Sequence, residues 1–256
     1  MINNKPKISV ITVVYSDKIG LEKTIQSVIN QTYDNIEYII IDGGSSDGTV
    51  DVIKKYEAKI DYWVSEKDNG IYDAMNKGIV LAKGKYLLFL NAGDNFASKE
   101  LLQNIINKIN ALEVQPKVIY GGSNVFTEDG TFLSKLNPLV LNKKNLNRYA
   151  TRTVCHQSIF VNRDNIPLYS DKYRLKGELN WYYELVENFK EDEMLNIDEI
   201  VCDYYLGGTG DKNFFENYFE RINVTRKHNN RLTFIGLIPF FLVPFIFRIR
   251  RIVFGK

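Results

Sequence analysis

Two short apolar runs in this chain end on carboxylates. Tyr38-Ile39-Ile40-Ile41 leads to Asp42 and the turn Gly43-Gly44-Ser45-Ser46-Asp47-Gly48-Thr49, and Tyr86-Leu87-Leu88-Phe89-Leu90 leads to Asn91-Ala92-Gly93-Asp94. A carboxylate just beyond a buried strand can accept a hydrogen bond from a nucleobase or a ribose, a role open to Asp42. In such a place Asp94 can ligate Mg2+ or Mn2+, hard cations that take oxygen donors and share them with a diphosphate. Each reading has a structural rival: Ser45, Ser46 and Asp47 also suit a strand–turn–helix corner, and Asp94 also suits a cap for the helix near Ser98. Neither loop is a dinucleotide fingerprint or a Walker loop, since G-x-G-x-x-G does not follow the first strand and G-x-x-x-x-G-K-[ST] is absent.

Strands must bring these loops to one edge. Residues 8–15 are β-branched and predict a buried first strand, and 36–41, 61–65 and 85–90 predict three more. Helical spacing of apolar residues predicts helices over 21–31, 49–56, 71–82 and from Ser98 to about 112. Alternation of this kind predicts an α/β fold with a doubly wound, mostly parallel sheet, whose ligands bind beyond the carboxyl ends of the strands. The pattern then changes. Residues 118–126 and 131–136 flank the turn signal Glu128-Asp129-Gly130 and predict a hairpin; a strand over 157–161, a helix over 178–189, a strand region over 195–205 and a helix over 211 to about 230 follow.

The composition, 45% hydrophobic and 25% charged over 256 residues, is that of a globular chain. Its first residues have no apolar signal core, so 8–15 is read as a strand rather than a signal peptide. Cys155 and Cys202 lack metal-ligand spacing and suit a reducing compartment. The net charge of +2 hides an asymmetry: residues 221–256 hold eight Lys and Arg and no acid, leaving 25 Lys and Arg against 31 Asp and Glu elsewhere. Within this basic end, 232–247 is an uncharged run broken by Pro239 and Pro244 and followed by Arg248-Ile249-Arg250-Arg251. The run is short of the ~20 residues that span a bilayer, and its cationic flanks suit the anionic cytoplasmic leaflet. An apolar helix packed on the body is the alternative.

Between the two acidic loops lies Ser65-Glu66-Lys67-Asp68-Asn69-Gly70-Ile71-Tyr72-Asp73-Ala74-Met75-Asn76-Lys77-Gly78. Asp68 and Asp73 suit hydrogen bonds to ribose or sugar hydroxyls, or simply a helix's first turn, where acids favour the dipole. Tyr15, closing the first strand, joins them as a candidate donor-binding residue. Asp42-Gly43-Gly44-Ser45-Ser46-Asp47-Gly48-Thr49, then Asn69 to Gly78, then Gly84-Lys85-Tyr86 to Asp94, together resemble family 2 glycosyltransferases of the GT-A fold, in particular the bacterial branch that builds capsule, O-antigen or exopolysaccharide units. The resemblance covers roughly 7–210.

It implies a Rossmann-like, mostly parallel mixed sheet flanked by helices, with a catalytic domain over 1–210 (nucleotide-binding half 1–112, acceptor half 113–210) and a helical, apolar and basic tail over 211–256. It implies inverting transfer from a nucleotide-diphospho-sugar with Mn2+ or Mg2+. Asp42 takes the nucleobase-reading position and Asp94 the last acid of the D-x-D region, as metal ligand; Asn91 and Gly93 stand where acids often occur. Cys155-His156-Gln157-Ser158 and Tyr173 to Trp181 resemble the acceptor region. Glu178, where relatives commonly carry Asp, is then the general base, and His156 a contact to diphosphate or acceptor. Trp181, Tyr182 and Tyr183 offer rings for sugar stacking, though at consecutive positions at least one must face the core. Leu206-Gly207-Gly208-Thr209-Gly210 matches a loop that closes over the donor.

The expected function is transfer of a hexose or N-acetylhexosamine, from UDP, to a lipid-linked saccharide at the cytoplasmic membrane face, reached through 226–256. No nucleic-acid partner is expected, and a homo-oligomer is open. One rival is a catalytically idle scaffold of a polysaccharide assembly complex, motivated by Asn91 and Gly93. Another is a sugar-nucleotide nucleotidyltransferase, which needs a basic phosphate-grasping loop that Tyr15-Ser16-Asp17 does not offer.

Overall fold

Valine and isoleucine runs build the centre of the sheet. The computed structural model describes residues 5–138, 140–148, 155–207 and 214–228. Strands β1 (Ile8–Val14), β2 (Ile36–Asp42), β3 (Tyr62–Ser65) and β4 (Tyr86–Phe89) are parallel, in spatial order β3-β2-β1-β4. Between them run α1 (Lys18–Ile29), α2 (Thr49–Lys55) and α3 (Ile71–Leu81). The register sets Val14 beside Asp42 and Asp42 beside Ser65, so the first loops emerge side by side at the carboxyl edge.

The acceptor half continues the same sheet with mixed polarity. A two-residue β5 (Asn95–Phe96) and α4 (Leu101–Asn110) precede β6 (Val118–Phe126), β7 (Phe132–Leu136), α5 (Lys143–Arg148), β8 (Ile159–Asn162), α6 (Gly177–Asn188), β9 (Met194–Tyr205) and α7 (Phe214–His228). The order becomes β3-β2-β1-β4-β8-β6-β9-β5, with β7 hairpinned on β6. Strand β8 is antiparallel to β4 and β6, and β6 is parallel to β9. Alternate strand residues face opposite layers. Ile11, Val13, Ile39, Leu87 and Phe89 meet α3, α6 and Val224 of α7; Val10, Ile40, Leu88 and Phe160 meet α1, Ile53 and α4.

Two local expectations are corrected. Ser98 does not cap α4: the helix starts at Leu101 after Glu100 without a side-chain cap, and the Ser98 carbonyl accepts from Gln31. The strand expected over 157–161 begins only at Ile159, because His156–Ser158 coil into a 3-10 turn closed by Ser158 N–H donating to the Cys155 carbonyl. Within 211–256, α7 packs against α6 through a buried Val224 and a Tyr183–His228 stack at 4.8 Å. The stretches 232–247 and 208–210 lie outside the described residues, among which no helix is long and apolar enough to cross a membrane.

Leu102 is wholly buried in the layer beneath α4. Leu102→Ala is expected to lower stability by ~2–5 kcal/mol, read from urea unfolding, by removing apolar contacts and leaving a cavity.

Candidate active site

Asp42 ends β2 fully buried, and its oxygens are already used. Oδ2 accepts from the amides of Gly44 (3.2 Å) and Ser45 (3.0 Å) and from the Ser65 hydroxyl (2.6 Å), while Oδ1 accepts from the Ser45 hydroxyl. The carboxylate builds its own turn and ties it to β3. These bonds give Asp42 a structural task beside the nucleobase-reading one expected of it, each worth about 1–3 kcal/mol if its donor is left unpaired. Asp47 closes the same corner by accepting from the Thr49 amide and hydroxyl at 3.1 and 2.6 Å.

The half-buried carboxylate beside this turn is Asp68. A Cβ built on Gly43 would lie 2.5 Å from Asp68 Oδ2 and 3.3 Å from Tyr15 Cδ2, so only glycine leaves room for both neighbours. Asp68 Oδ1 accepts from the Gly70 amide at 2.9 Å. The Tyr15 ring is 71% exposed. Asp73 serves the start of α3 instead, accepting from the Asn69 amide at 3.0 Å and lying 3.6 Å from Lys77 Nζ. The Gly43–Asp68 juxtaposition is invisible in the sequence, where 25 residues separate the two.

On the other side of β1 lies the loop after β4, which a turn at 155–158 joins to Glu178. Asp94 is 4% exposed and accepts from Gln157 Nε2 at 2.7 Å and from the Tyr205 amide at 3.1 Å. His156, the neighbour of Gln157, is also buried. Its Nε2 lies 3.0 Å from Asn91 Nδ2 and its Nδ1 3.3 Å from Glu178 Oε2. The ring thus lies between the Asn91 amide and the Glu178 carboxylate, with Nδ1 on the Glu178 side. His156 is thus paired with Glu178 from inside the fold.

Glu178 stands in the first turn of α6 with a third of its side chain exposed. Burial pushes its carboxyl up, but the His156 hydrogen bond and the charges of His156, Lys176 and Arg221 outweigh this and hold it below the usual glutamate range. It is therefore an anion near neutrality, as a general base must be. Beneath it, Tyr72, Tyr169 and Trp181 form a column with centroids 5.3 and 5.2 Å apart. Trp181, Tyr182 and Tyr183 are all buried, so none of the three offers a face to a sugar.

The oxygen donors of the 91–94 loop fit a divalent cation shared with a diphosphate. Asn91 Oδ1 is buried without a hydrogen-bond partner, an oxygen left available three residues from Asp94. Among the described residues no group of three His, Cys, Asp or Glu forms a cage, so most of the shell would come from phosphate and water.

The arrangement has known counterparts. The family model described as glycosyl transferase family 2 matches residues 9–168. An uncharacterized glycosyltransferase of Mycobacterium tuberculosis is 42% identical over 105 residues, covering 41% of this chain and 40% of the relative. A putative teichuronic acid biosynthesis glycosyltransferase of Bacillus subtilis is 34% identical over 53% of this chain and 54% of its own. A PGL/p-HBAD biosynthesis glycosyltransferase of Mycobacterium bovis is 28% identical over 72% and 71%. In fold, S. aureus TarS 1-349 in complex with UDP-GlcNAc matches with a TM-score of 0.65 at 15% identity, over 85% of this chain and 66% of that one. The mannosyltransferase PcManGT of Pyrobaculum calidifontis, in complex with GDP-Man and Mn2+, matches with a TM-score of 0.58 at 13% identity, over 86% and 65%.

Burial pushes the Asp94 carboxyl up to about 7, against the pull of Tyr205, Gln157 and His156. Its stabilising contribution to the metal-free fold is thus present below its unfolded value of ~4 and is lost as pH rises through about 7. A cation must displace that proton. The rise in melting temperature on adding Mn2+ is therefore expected to be larger at pH 8 than at pH 6 and absent in Asp94→Ala; equal shifts at both pH values would place the cation elsewhere.

Proposed function

Since the chain belongs to glycosyl transferase family 2, we propose that it is an inverting transferase moving a hexose or N-acetylhexosamine from a nucleotide diphosphate, UDP in the first instance, to a lipid-linked saccharide in surface polysaccharide synthesis. The observation that carries this reading is the Asn91–His156–Glu178 chain, an ionised carboxylate oriented by a buried imidazole at the carboxyl edge of the sheet.

Glu178 takes the proton of the acceptor hydroxyl as that oxygen bonds to the anomeric carbon. The bond from that carbon to the diphosphate oxygen breaks, and its electron pair leaves with the nucleotide. Attack from the face opposite the leaving group inverts the anomeric centre. His156 holds the carboxylate in place during the approach. A divalent cation held by Asp94 and Asn91 Oδ1 would supply positive charge to the departing diphosphate. Tyr15 suits stacking on the nucleobase, and Asp68, accommodated by Gly43, suits accepting from the base or ribose. The UDP-GlcNAc complex of a structural neighbour and the name of the Bacillus relative support the donor and polymer class. The basic, apolar composition of 226–256 supports contact with the inner membrane face.

A screen of donor turnover across UDP-, GDP- and dTDP-sugars, with and without Mn2+, tests the reading. Glu178→Gln is expected to lower turnover ~10²–10⁴-fold with UDP binding retained; turnover unchanged by this substitution refutes the base assignment. Asp68→Ala is expected to weaken UDP binding about tenfold or more by calorimetry without changing the melting temperature.

A further inference from the structure

The amides that lead into the base helix are gathered from two sides. Glu220 of α7 accepts from three consecutive backbone N–H groups: Arg174 at 2.8 Å, Leu175 at 2.7 Å and Lys176 at 2.8 Å. The next two residues, Gly177 and Glu178, start α6 against the ring of Tyr72 in α3. Tyr72 lies so close that a Cβ on Gly177 would be 2.6 Å from its ring. The Lys176 amide is an orphan donor of the helix N-terminus, and those of Arg174 and Leu175 belong to the turn that leads into it; such groups cost free energy when left unsatisfied. The residue preceding α6, Lys176, makes no side-chain cap of its own. The start of α6 is therefore held by two other helices, through the Glu220 carboxylate and the packed ring of Tyr72.

Further along α6 the same helix α7 grips again. Lys227 Nζ donates to Asn180 Oδ1 at 2.9 Å and to Glu184 at 3.2 Å, and His228 lies 3.0 Å from Asn180 Oδ1 and 2.9 Å from Glu187. Asn180 is wholly buried, so these bonds fix the rotation of α6 about its axis. Glu178 sits two residues before Asn180 and shares that rotation.

We infer that Glu220 is a positioning residue for the base: with Tyr72 it sets the height and rotation of the α6 N-terminus, and so the placement of the Glu178 carboxylate. The inference rests on the assignment of Glu178 as general base. It gives α7 a task in the reaction, although α7 lies in the 211–256 segment first read as a tail.

The test uses the full chain, UDP-N-acetylglucosamine as donor with water or added acceptor, and UDP as binding probe. Amide hydrogen exchange gives a readout that does not depend on the donor. In Glu220→Gln and Glu220→Ala, exchange of amides 174–182 is expected to rise tenfold or more while amides of β1 and β4 are unchanged. UDP release is expected to fall about ten- to a hundredfold in kcat, with KM for the donor and the UDP dissociation constant unchanged. Glu220→Gln, which keeps one accepting oxygen, and Tyr72→Phe, which removes only the phenol oxygen, fall between the wild type and Glu220→Ala. Unchanged exchange at 174–182 overturns the inference, as does unchanged kcat where exchange has risen. A loss that tracks melting temperature and donor affinity instead of kcat also overturns it, because a merely structural carboxylate behaves in that way. Should Glu220→Ala not fold, Glu220→Gln and Tyr72→Phe decide by the same readouts. Glu178→Gln separates the two claims: if it retains full turnover the base assignment fails, and if it abolishes turnover while the Glu220 variants are normal, only the positioning role fails.

Discussion

The joint between the 155–158 turn and the loop after β4 holds the two halves of the site in register. His156 and Gln157 are consecutive, yet one bonds Asn91 and Glu178 while the other bonds Asp94. A 3-10 turn makes this possible by sending neighbouring side chains in directions that a strand would place on opposite faces of the sheet. The buried hydroxyl pair Ser123–Ser158 at 2.6 Å anchors the end of that turn to β6. The acidic loop and the start of α6 are therefore tied together through one turn. The site gains its rigidity from polar bonds made in a dry environment, where each is stronger and each omission more costly.

The central sheet sets where that joint can form. β1, β2 and β4 run parallel and release their loops at one edge, while β8 returns antiparallel to β4 and delivers the 155–158 turn to the same end. Helices α3 and α6 share one face of the sheet, which is why Tyr72 can reach the start of α6. The motif Ile71 to Gly78 therefore has a structural content beyond any ligand contact. Tyr72 supports the base helix, Asn76 makes a two-way bond with the backbone of Tyr169 at 2.9 and 2.8 Å, and Gly78 lets α3 lie directly on Ile11.

Periodic apolar residues made the first 110 residues legible, because buried parallel strands and amphipathic helices have strong, regular patterns. The gathering of the acidic loops at one edge was legible too. What could not be read was the direction of lone pairs. The serines around Asp42, which bond both its oxygens, could not be foreseen as its partners. Asp68 looked secondary until folding set it against Gly43. Glu220 carried no signal at all, since its partners are backbone amides some 44–46 residues away, and backbone amides are the same in every sequence.

The loop at 91–94 has a further property that follows from its residues. It holds one ionisable group, and burial places that group's titration at about 7. Near neutrality the loop thus carries only a fraction of one negative charge. A diphosphate approaching this edge meets little repulsion from the loop itself, whereas a row of exposed acids would oppose it until counterions arrived. An amide and a glycine in place of acids trade permanent charge for an easier approach by an anion.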